Sequence, residues 1–199
     1  MKLSVIVATF GDHEKWDPLA DRAVASVDAH PDVELVRHHV DDPDPRNCGR
    51  ARNEAIARGS GEWITVLDAD DEHMPGYGAA MIAAAQPGCV LVPARCGWNA
   101  KRNAWGDVVA NAGSPSSLMA NRRIVIGSAF ERSTWERMGG FREDLAWGED
   151  CAFWLACERA GVRFVLVADA VYRMHRLPDG RRKFEGRKKM WQGIFRGVA

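Results

Sequence analysis

The chain has 199 residues, and its 27 lysines and arginines balance its 27 aspartates and glutamates, so the formal net charge is zero. Its 46% hydrophobic and 27% charged residues are typical of a soluble globular protein and exclude disordered, collagen-like and fibrous classes. A chain of this length forms one domain with a full hydrophobic core. Zero net charge argues against a nucleic acid or an anionic surface as partner, unless the charges are separated along the chain.

The cysteines and the apolar runs predict a cellular location. The five cysteines form no C-x-x-C pair, which excludes a disulfide framework and a zinc knuckle. The apolar run at residues 3–10 is too short for a signal peptide, and no run reaches the roughly 20 apolar residues of a transmembrane helix. We therefore expect a cytoplasmic location and no transmembrane segment.

Strands and helices alternate in the first half of the chain. Hydrophobic periodicity predicts strands at 3–9, 33–40, 63–67 and 89–92, and helices at 17–29, 48–58 (capped by Asn47) and 76–86. This alternation predicts an α/β fold, a mostly parallel sheet flanked by helices. Ligands bind such sheets at the carboxyl ends of the strands.

The second half has a less regular pattern. Residues 94–123 are rich in Asn, Gly, Ser and Trp, and predict a hairpin followed by a mobile loop. Further along, the pattern predicts a strand at 124–130, helices at 133–138 and 149–160, and strands at 162–167 and 171–174. No repeat or interdomain linker interrupts residues 1–175.

Charge is not evenly distributed. Residues 176–199 carry eight lysines and arginines against two acids, a net charge of +6, and residues 1–175 carry −6. Apolar residues recur within this tail at amphipathic helical spacing: Met190, Trp191, Ile194 and Phe195. A basic amphipathic tail of this kind binds a polyanion, either nucleic acid or an anionic lipid surface, or it packs on the domain; charge alone does not decide.

Paired carboxylates follow the third predicted strand in Asp68-Ala69-Asp70. Residues two apart in an extended segment point to the same side, so both carboxylates could hold Mn²⁺ or Mg²⁺. An acidic turn without a metal is the equally weighted alternative.

A second acidic pair occurs in Trp147-Gly148-Glu149-Asp150, at the start of an apolar helix. Acids are favoured there by the helix dipole alone, but a carboxylate at a helix start can also serve as a general base. The dipole lowers its pKa, which predicts a weak base that is fully ionised at neutral pH. The flat face of Trp147 could bind a sugar acceptor, and core positions are predicted for Trp63 and Trp154.

The motifs, taken together, resemble a family 2 glycosyltransferase of the GT-A fold. The resemblance rests on the segments Ser4–Phe10, Ala51–Ala55 and Val66–Asp71, followed by Gly139–Phe141 and Trp147–Asp150. It implies one GT-A (Rossmann-like) domain over residues 1–175, with a nucleotide-sugar-binding half at 1–93 and an acceptor half at 94–175.

The resemblance also implies roles for single residues. Asp68 would face the donor ribose and Asp70 the metal, whose shell His175 would complete. Asp150 would be the catalytic base, with Glu149 beside it contacting the acceptor.

Thr9, Phe10 and Arg52 match positions that line the nucleotide pocket in the family. Only one strand fits between residues 30 and 47, so the segment that reads the base is shortened, and Asp41 or Asp42 is its expected contact. A UDP-sugar donor is what the family implies.

Three functions therefore compete. The first is a metal-dependent inverting glycosyltransferase with an unknown acceptor, such as DNA with a hydroxylated base or a surface glycan or lipid. The second is a phosphohydrolase of the haloacid dehalogenase type, which also places D-x-D after a strand, although the usual Thr is absent here. The third is a non-catalytic nucleic-acid-binding module that uses the tail.

Overall fold

In the computed structural model, residues 1–99, 102–110 and 124–175 are described. The predicted tail at 176–199 and most of the predicted mobile loop lie outside these residues.

The described residues form eight strands and five helices. The strands are β1 (Leu3–Phe10), β2 (Val33–Val40), β3 (Trp63–Val66), β4 (Glu72–His73), β5 (Cys89–Asn99), β6 (Ala104–Trp105), β7 (Ala129–Glu131) and β8 (Arg163–Met174). The helices are α1 (His13–Ala25), α2 (Asn47–Arg58), α3 (Tyr77–Ala84), α4 (Arg132–Met138) and α5 (Glu149–Arg159). None of these helices is long and apolar enough to cross a membrane.

The strands form one sheet in the order β2-β1-β3-β7-β5-β8-β4, with β6 paired to β5. β1 is parallel to β2 and β3, and β5 is parallel to β8. β7 runs antiparallel between β3 and β5, and β4 runs antiparallel to β8. The predicted single α/β domain with a mostly parallel sheet is confirmed, and the sheet is mixed because β7 and β4 run against the other main strands.

This topology brings together the carboxyl ends of strands that are far apart in the sequence. Two antiparallel steps through β7 restore the strand direction, so β1, β2, β3, β5 and β8 all run the same way. Their carboxyl ends therefore share one edge of the sheet, where ligands bind in open α/β folds. The short pairing of Glu72 with Arg173 fixes the end of β8 beside the turn that follows β3.

The core lies on both faces of the sheet. β1 contains four fully buried residues that are consecutive or nearly so: Leu3, Val5, Ile6 and Val7. Since neighbouring residues of a strand point to opposite faces, both faces must be covered, as the continuous apolar run predicts. The core positions predicted for Trp63 and Trp154 are also confirmed.

The starts of two helices differ from the prediction. α1 begins four residues early because the Asp12 carboxylate accepts hydrogen bonds from the backbone N–H groups of Glu14 and Lys15. Asn47, predicted as the cap of α2, is instead its first residue, and its Nδ2 donates to the carbonyl of Asp42 at 3.0 Å.

Two predicted strand assignments in the second half are also revised. Only the last two residues of the predicted strand at 124–130 are extended, and β7 continues to Glu131, because the chain turns at Gly127, where any side chain would collide with the ring of Tyr172. The two final predicted strands merge into β8, whose register against β5 shifts between Pro93 and Ala94. A proline has no N–H to donate, so a bulge there is expected.

Candidate active site

Three carboxylates meet where β3 ends. Asp68, Asp70 and Asp71 each place an oxygen within 4.8 Å of the others. Asp68 and Asp70 are partly buried, and Asp71 is 8% exposed. Several hard oxygen donors in one place fit a divalent cation such as Mg²⁺ or Mn²⁺. The predicted convergence of Asp68 and Asp70 therefore holds, and Asp71 joins them as a third acid that the sequence argument did not single out.

Asp71 is held by the end of β8. It accepts the backbone N–H of His175 at 2.8 Å and a hydrogen bond from the Tyr172 hydroxyl. Burial first, and then the charges of Asp70 and Asp68, raise the pKa of Asp71 well above its usual range. A cation at the cluster would remove this repulsion, so the donor set fits the metal that the resemblance implies.

Tyr172 also fixes the other side of the turn. Its buried hydroxyl accepts the backbone N–H of Asp68 at 3.1 Å. One phenol thus joins two residues of the acidic turn to a strand more than 100 positions later in the chain. The local pattern of β8 carries no signal for this role, since an aromatic residue is common in any strand.

Arg52 connects the two acidic pairs. Its Nη2 donates to Asp68 at 2.6 Å, its Nη1 donates to Glu149, and its side chain is only 7% exposed. A buried arginine between two carboxylates neutralises charge that would otherwise be costly to bury. The role of Arg52 in the nucleotide pocket stays a prediction, and its observed contacts make it the link between the D-x-D turn and the start of α5.

Cys48 is a further member of this group. Its thiol donates to the same Glu149 carboxylate at 3.2 Å, and the residue is buried in the first turn of α2. Glu149 is therefore fixed by two residues of one helix, four positions apart. Residues i and i+4 share a helix face, which is the only sequence signal that could have paired Cys48 with Arg52.

The pKa of Asp150 is shifted in the direction opposite to the one predicted. Burial first, and the charge of Glu149 second, raise the pKa of Asp150 to about 6, although Arg52 acts the other way. The dipole argument predicted a lowered pKa and is wrong for this residue, because desolvation outweighs the helix start. A carboxylate with a pKa near 6 is a stronger base than an ordinary aspartate and is still mostly ionised at neutral pH.

His175 adjoins the acidic cluster through its backbone. Its ring Nε2 lies 3.2 Å from Glu72, and its ring packs edge-on against Trp105 at 4.7 Å. Among the described residues, the group able to hold an ion at this turn consists of the three aspartates without the ring of His175. Its role as a metal ligand therefore stays a prediction that needs the ring to turn away from Glu72.

The predicted nucleotide-pocket residues lie at the same edge. The buried Thr9 hydroxyl is 2.8 Å from Nδ1 of His39, on the adjacent strand. Phe10 ends β1, with its ring 6.5 Å from that of Trp16. Asp42 is exposed in the loop that follows β2.

Trp147 is partly buried and stands before Gly148, whose φ of +76° starts α5. The left-handed backbone at this glycine sets the direction from which Glu149 and Asp150 enter the site. Contact between Trp147 and an acceptor stays a prediction.

Asn53 holds the turn at Phe141 against α2. Its Nδ2 donates to the Phe141 carbonyl and to Glu143, both at 2.8 Å. Its Oδ1 accepts the Phe141 N–H at 2.9 Å and the Trp135 indole N–H at 3.2 Å. Asn53 is therefore a clamp between α2 and the turn at Phe141.

Asn53→Ala is expected to lower the free energy of unfolding by about 2–4 kcal/mol, because it leaves several polar groups without partners. Urea denaturation followed by circular dichroism measures this loss. Glu143→Gln is the matched control: it keeps an oxygen acceptor for Nδ2 of Asn53 and should lose less. Equal stability of Asn53→Ala and wild type would contradict the clamp.

Solved structures with a similar fold include three of S. aureus TarS. TarS 1–349 in complex with UDP-GlcNAc aligns with a TM-score of 0.71 at 16% identity, covering the whole chain and 65% of TarS 1–349. The UDP complex aligns at 0.69 and 17% identity, covering 100% and 64%, and the structure titled S. aureus TarS aligns at 0.69 and 18%, covering 100% and 39%. The chain thus spans less than two thirds of the length of these proteins.

No curated protein matches the sequence significantly. The model of the family described as glycosyl transferase family 2 matches residues 17–166, about three quarters of the chain. That range contains the acidic turn, Arg52, Glu149 and Asp150. The chain belongs to glycosyl transferase family 2.

Proposed function

We propose that this chain is a metal-dependent inverting glycosyltransferase that moves a sugar from a nucleotide-sugar to an acceptor hydroxyl. The observation that carries the proposal is the continuous network from the Asp68 turn through Arg52 to Glu149, beside the partly buried Asp150. At one edge of the sheet, the acidic turn proposed to bind the cation of a diphosphate is thus connected to the helix start that carries the proposed general base. Family membership supports this proposal over the phosphohydrolase and the non-catalytic module.

Asp68, Asp70 and Asp71 are the residues that would hold Mn²⁺ or Mg²⁺, with His175 as a candidate fourth ligand. When bound, such an ion supplies positive charge that stabilises a departing diphosphate. Arg52 and the hydrogen bonds from β8 keep the three carboxylates close together despite their repulsion.

Asp150 acts as the base in this proposal. It accepts the proton of the acceptor hydroxyl while the hydroxyl oxygen forms a bond to the anomeric carbon of the donor. The bond between that carbon and the diphosphate oxygen breaks on the opposite face, and its electron pair leaves with the diphosphate. Glu149, fixed by Arg52 and Cys48, contacts the acceptor, and Trp147 offers it an aromatic face.

The activity is expected to fall as pH drops through about 6. Asp150 must be ionised to accept a proton, and its pKa is about 6, so kcat/KM declines roughly tenfold per pH unit below that value and is level above it. The pH profile of nucleoside diphosphate release measures this.

Glu149→Gln tests the cause of that pKa. It removes the neighbouring charge and should move the acidic limb of the profile to lower pH. If kcat/KM of the wild type falls only near pH 4, the assignment of Asp150 as the base is contradicted.

A UDP-sugar is the proposed donor. The TarS structures carry UDP and UDP-GlcNAc, which supports this choice for a chain of the same fold. Thr9, Phe10 and Asp42 lie at the ends of β1 and β2, where the nucleotide would bind. A thermal-shift screen of nucleoside diphosphates, with and without Mn²⁺, tests the proposal: UDP should raise Tm more with Mn²⁺ than without it. No shift with any nucleotide would overturn it.

The acceptor is proposed to be polyanionic. Residues 176–199 carry a net charge of +6 and continue from His175, whose N–H binds the acidic turn. Deleting these residues should abolish binding to DNA or anionic vesicles and leave donor hydrolysis intact. Loss of both would favour the non-catalytic module.

All five cysteines lie in the described residues, and none of them forms a disulfide bond there. Reduced cysteines favour a reducing compartment, so we place the reaction in the cytoplasm.

A further inference from the structure

An open groove lies between the end of α1 and the start of β2, the strand at one edge of the sheet. Its volume is about 520 Å³. Six of the residues that line it are apolar: Val24, Val27, Ala29, Pro31, Val33 and Leu35. Leu35 is 40% exposed, one of four large hydrophobic residues that are exposed among the described ranges. The groove is therefore an apolar surface that the described part of the chain leaves open to solvent.

The polar groups of this groove are already engaged in local contacts. Asp28 accepts the backbone N–H of Gly76 at 2.5 Å, and Nδ1 of His30 accepts that of Asp32 at 3.1 Å. A pocket for a small polar ligand presents several polar groups that fix the orientation of the ligand. The lining of this groove fits apolar side chains instead, so we expect a peptide segment as its occupant.

The tail at residues 176–199 has the composition that such a groove requires. It contains four large apolar residues at amphipathic helical spacing: Met190, Trp191, Ile194 and Phe195. The tail also carries a net charge of +6, whereas Asp28 lines the groove and Asp32 is exposed between two residues that line it. The apolar pattern and the charge of the tail therefore both complement the groove.

The tail also starts close enough to reach the groove. β4 pairs with the end of β8, and the backbone N–H of His73 in β4 donates to Oγ of Ser26, just after α1, at 3.0 Å. One strand and one helix are roughly 15 Å wide together. Residues 176–189, which precede Met190, span up to about 46 Å when extended, so they cross this distance easily.

We propose that the apolar side of residues 190–195 docks in the groove between α1 and β2 of the same chain. Docking covers Leu35 and removes apolar surface from water, which stabilises the docked form. It leaves lysines and arginines of the tail available to bind a polyanion, so it is compatible with the proposed acceptor. It does not depend on the proposed glycosyl transfer.

NMR spectroscopy of the full chain with ¹³C-labelled leucine methyl groups tests this contact. Wild type should show nuclear Overhauser effects between the Leu35 methyl groups and ring protons of Trp191 or Phe195. The double variant Trp191→Ser/Phe195→Ser should lose these effects and shift the Leu35 methyl resonances. Phe184→Ser, which removes an aromatic ring of the tail outside the apolar set, is the matched control and should leave both unchanged.

Leu35→Arg tests the same contact from the side of the groove, because it places a positive charge opposite a basic segment. It should move the indole N–H resonance of Trp191 to that of a solvent-exposed tryptophan. Val108→Arg makes a similar change at another exposed aliphatic residue and should leave that resonance where it is in wild type.

The proposal is overturned if the Leu35 methyl groups of wild type show no contact with residues 190–195. It is also overturned if the indole resonance of Trp191 is the same in Leu35→Arg and in wild type. In a mixture of labelled and unlabelled chains, contacts that arise only between different chains would identify a second copy as the occupant and would overturn docking within one chain.

Discussion

Asp150→Asn is expected to reduce sugar transfer by about 10²–10⁴-fold, the usual contribution of a general base, while nucleotide binding stays unchanged. Asparagine has nearly the same volume as aspartate but cannot accept the hydroxyl proton. The variant also removes a partly buried acid whose pKa is raised to about 6, so the fold should be at least as stable as that of wild type.

The readout is the release of nucleoside diphosphate from the nucleotide-sugar, with water as the acceptor. Nucleotide affinity is measured separately by calorimetry. Asp169→Asn, which changes an exposed aspartate in β8, is the matched control and should retain full activity. Full transfer by Asp150→Asn would show that another group takes the proton.

Asp70→Ala is expected to abolish metal-dependent donor binding. The three carboxylates of the turn lie within 4.8 Å of one another, and the loss of Asp70 removes both a ligand and part of the negative charge that attracts the cation. Nucleotide binding without metal should change little. The variant should also bring the pKa of Asp71 closer to its usual range, because the charge of Asp70 raises it.

Calorimetric titration of UDP in Mn²⁺ and in a chelator measures the metal-dependent part of the affinity. Asp32→Asn alters an exposed acid just before β2, at the opposite edge of the sheet, and should bind UDP as wild type does. Retention of Mn²⁺-dependent binding by Asp70→Ala would contradict the metal site.

The fold was largely predictable because its signals are local. The apolar run of β1 and the exact bounds of β2 follow from hydrophobic periodicity within eight residues each. The position of β7 could not be predicted this way. It pairs with β3 and β5 through contacts that only the tertiary fold creates, and its short length leaves too few residues for a pattern.

The candidate site was predictable in its residue types but not in its connections. D-x-D after a strand and two acids at a helix start are visible in the sequence. The roles of Tyr172 and Cys48 depend on contacts across about 100 residues, which no local pattern reports. The same is true of the pKa of Asp150: the helix start is visible in the sequence, whereas the burial that outweighs it is not.

Proton NMR of the sugar released from a UDP-sugar in the presence of Mn²⁺ tests the central proposal most directly. If Asp150 activates an oxygen nucleophile opposite the diphosphate, an α-linked donor gives UDP and, at early times, the β-anomer of the free sugar. Release of the α-anomer would contradict the inverting mechanism. Release of inorganic phosphate without UDP would contradict glycosyl transfer and support the phosphohydrolase.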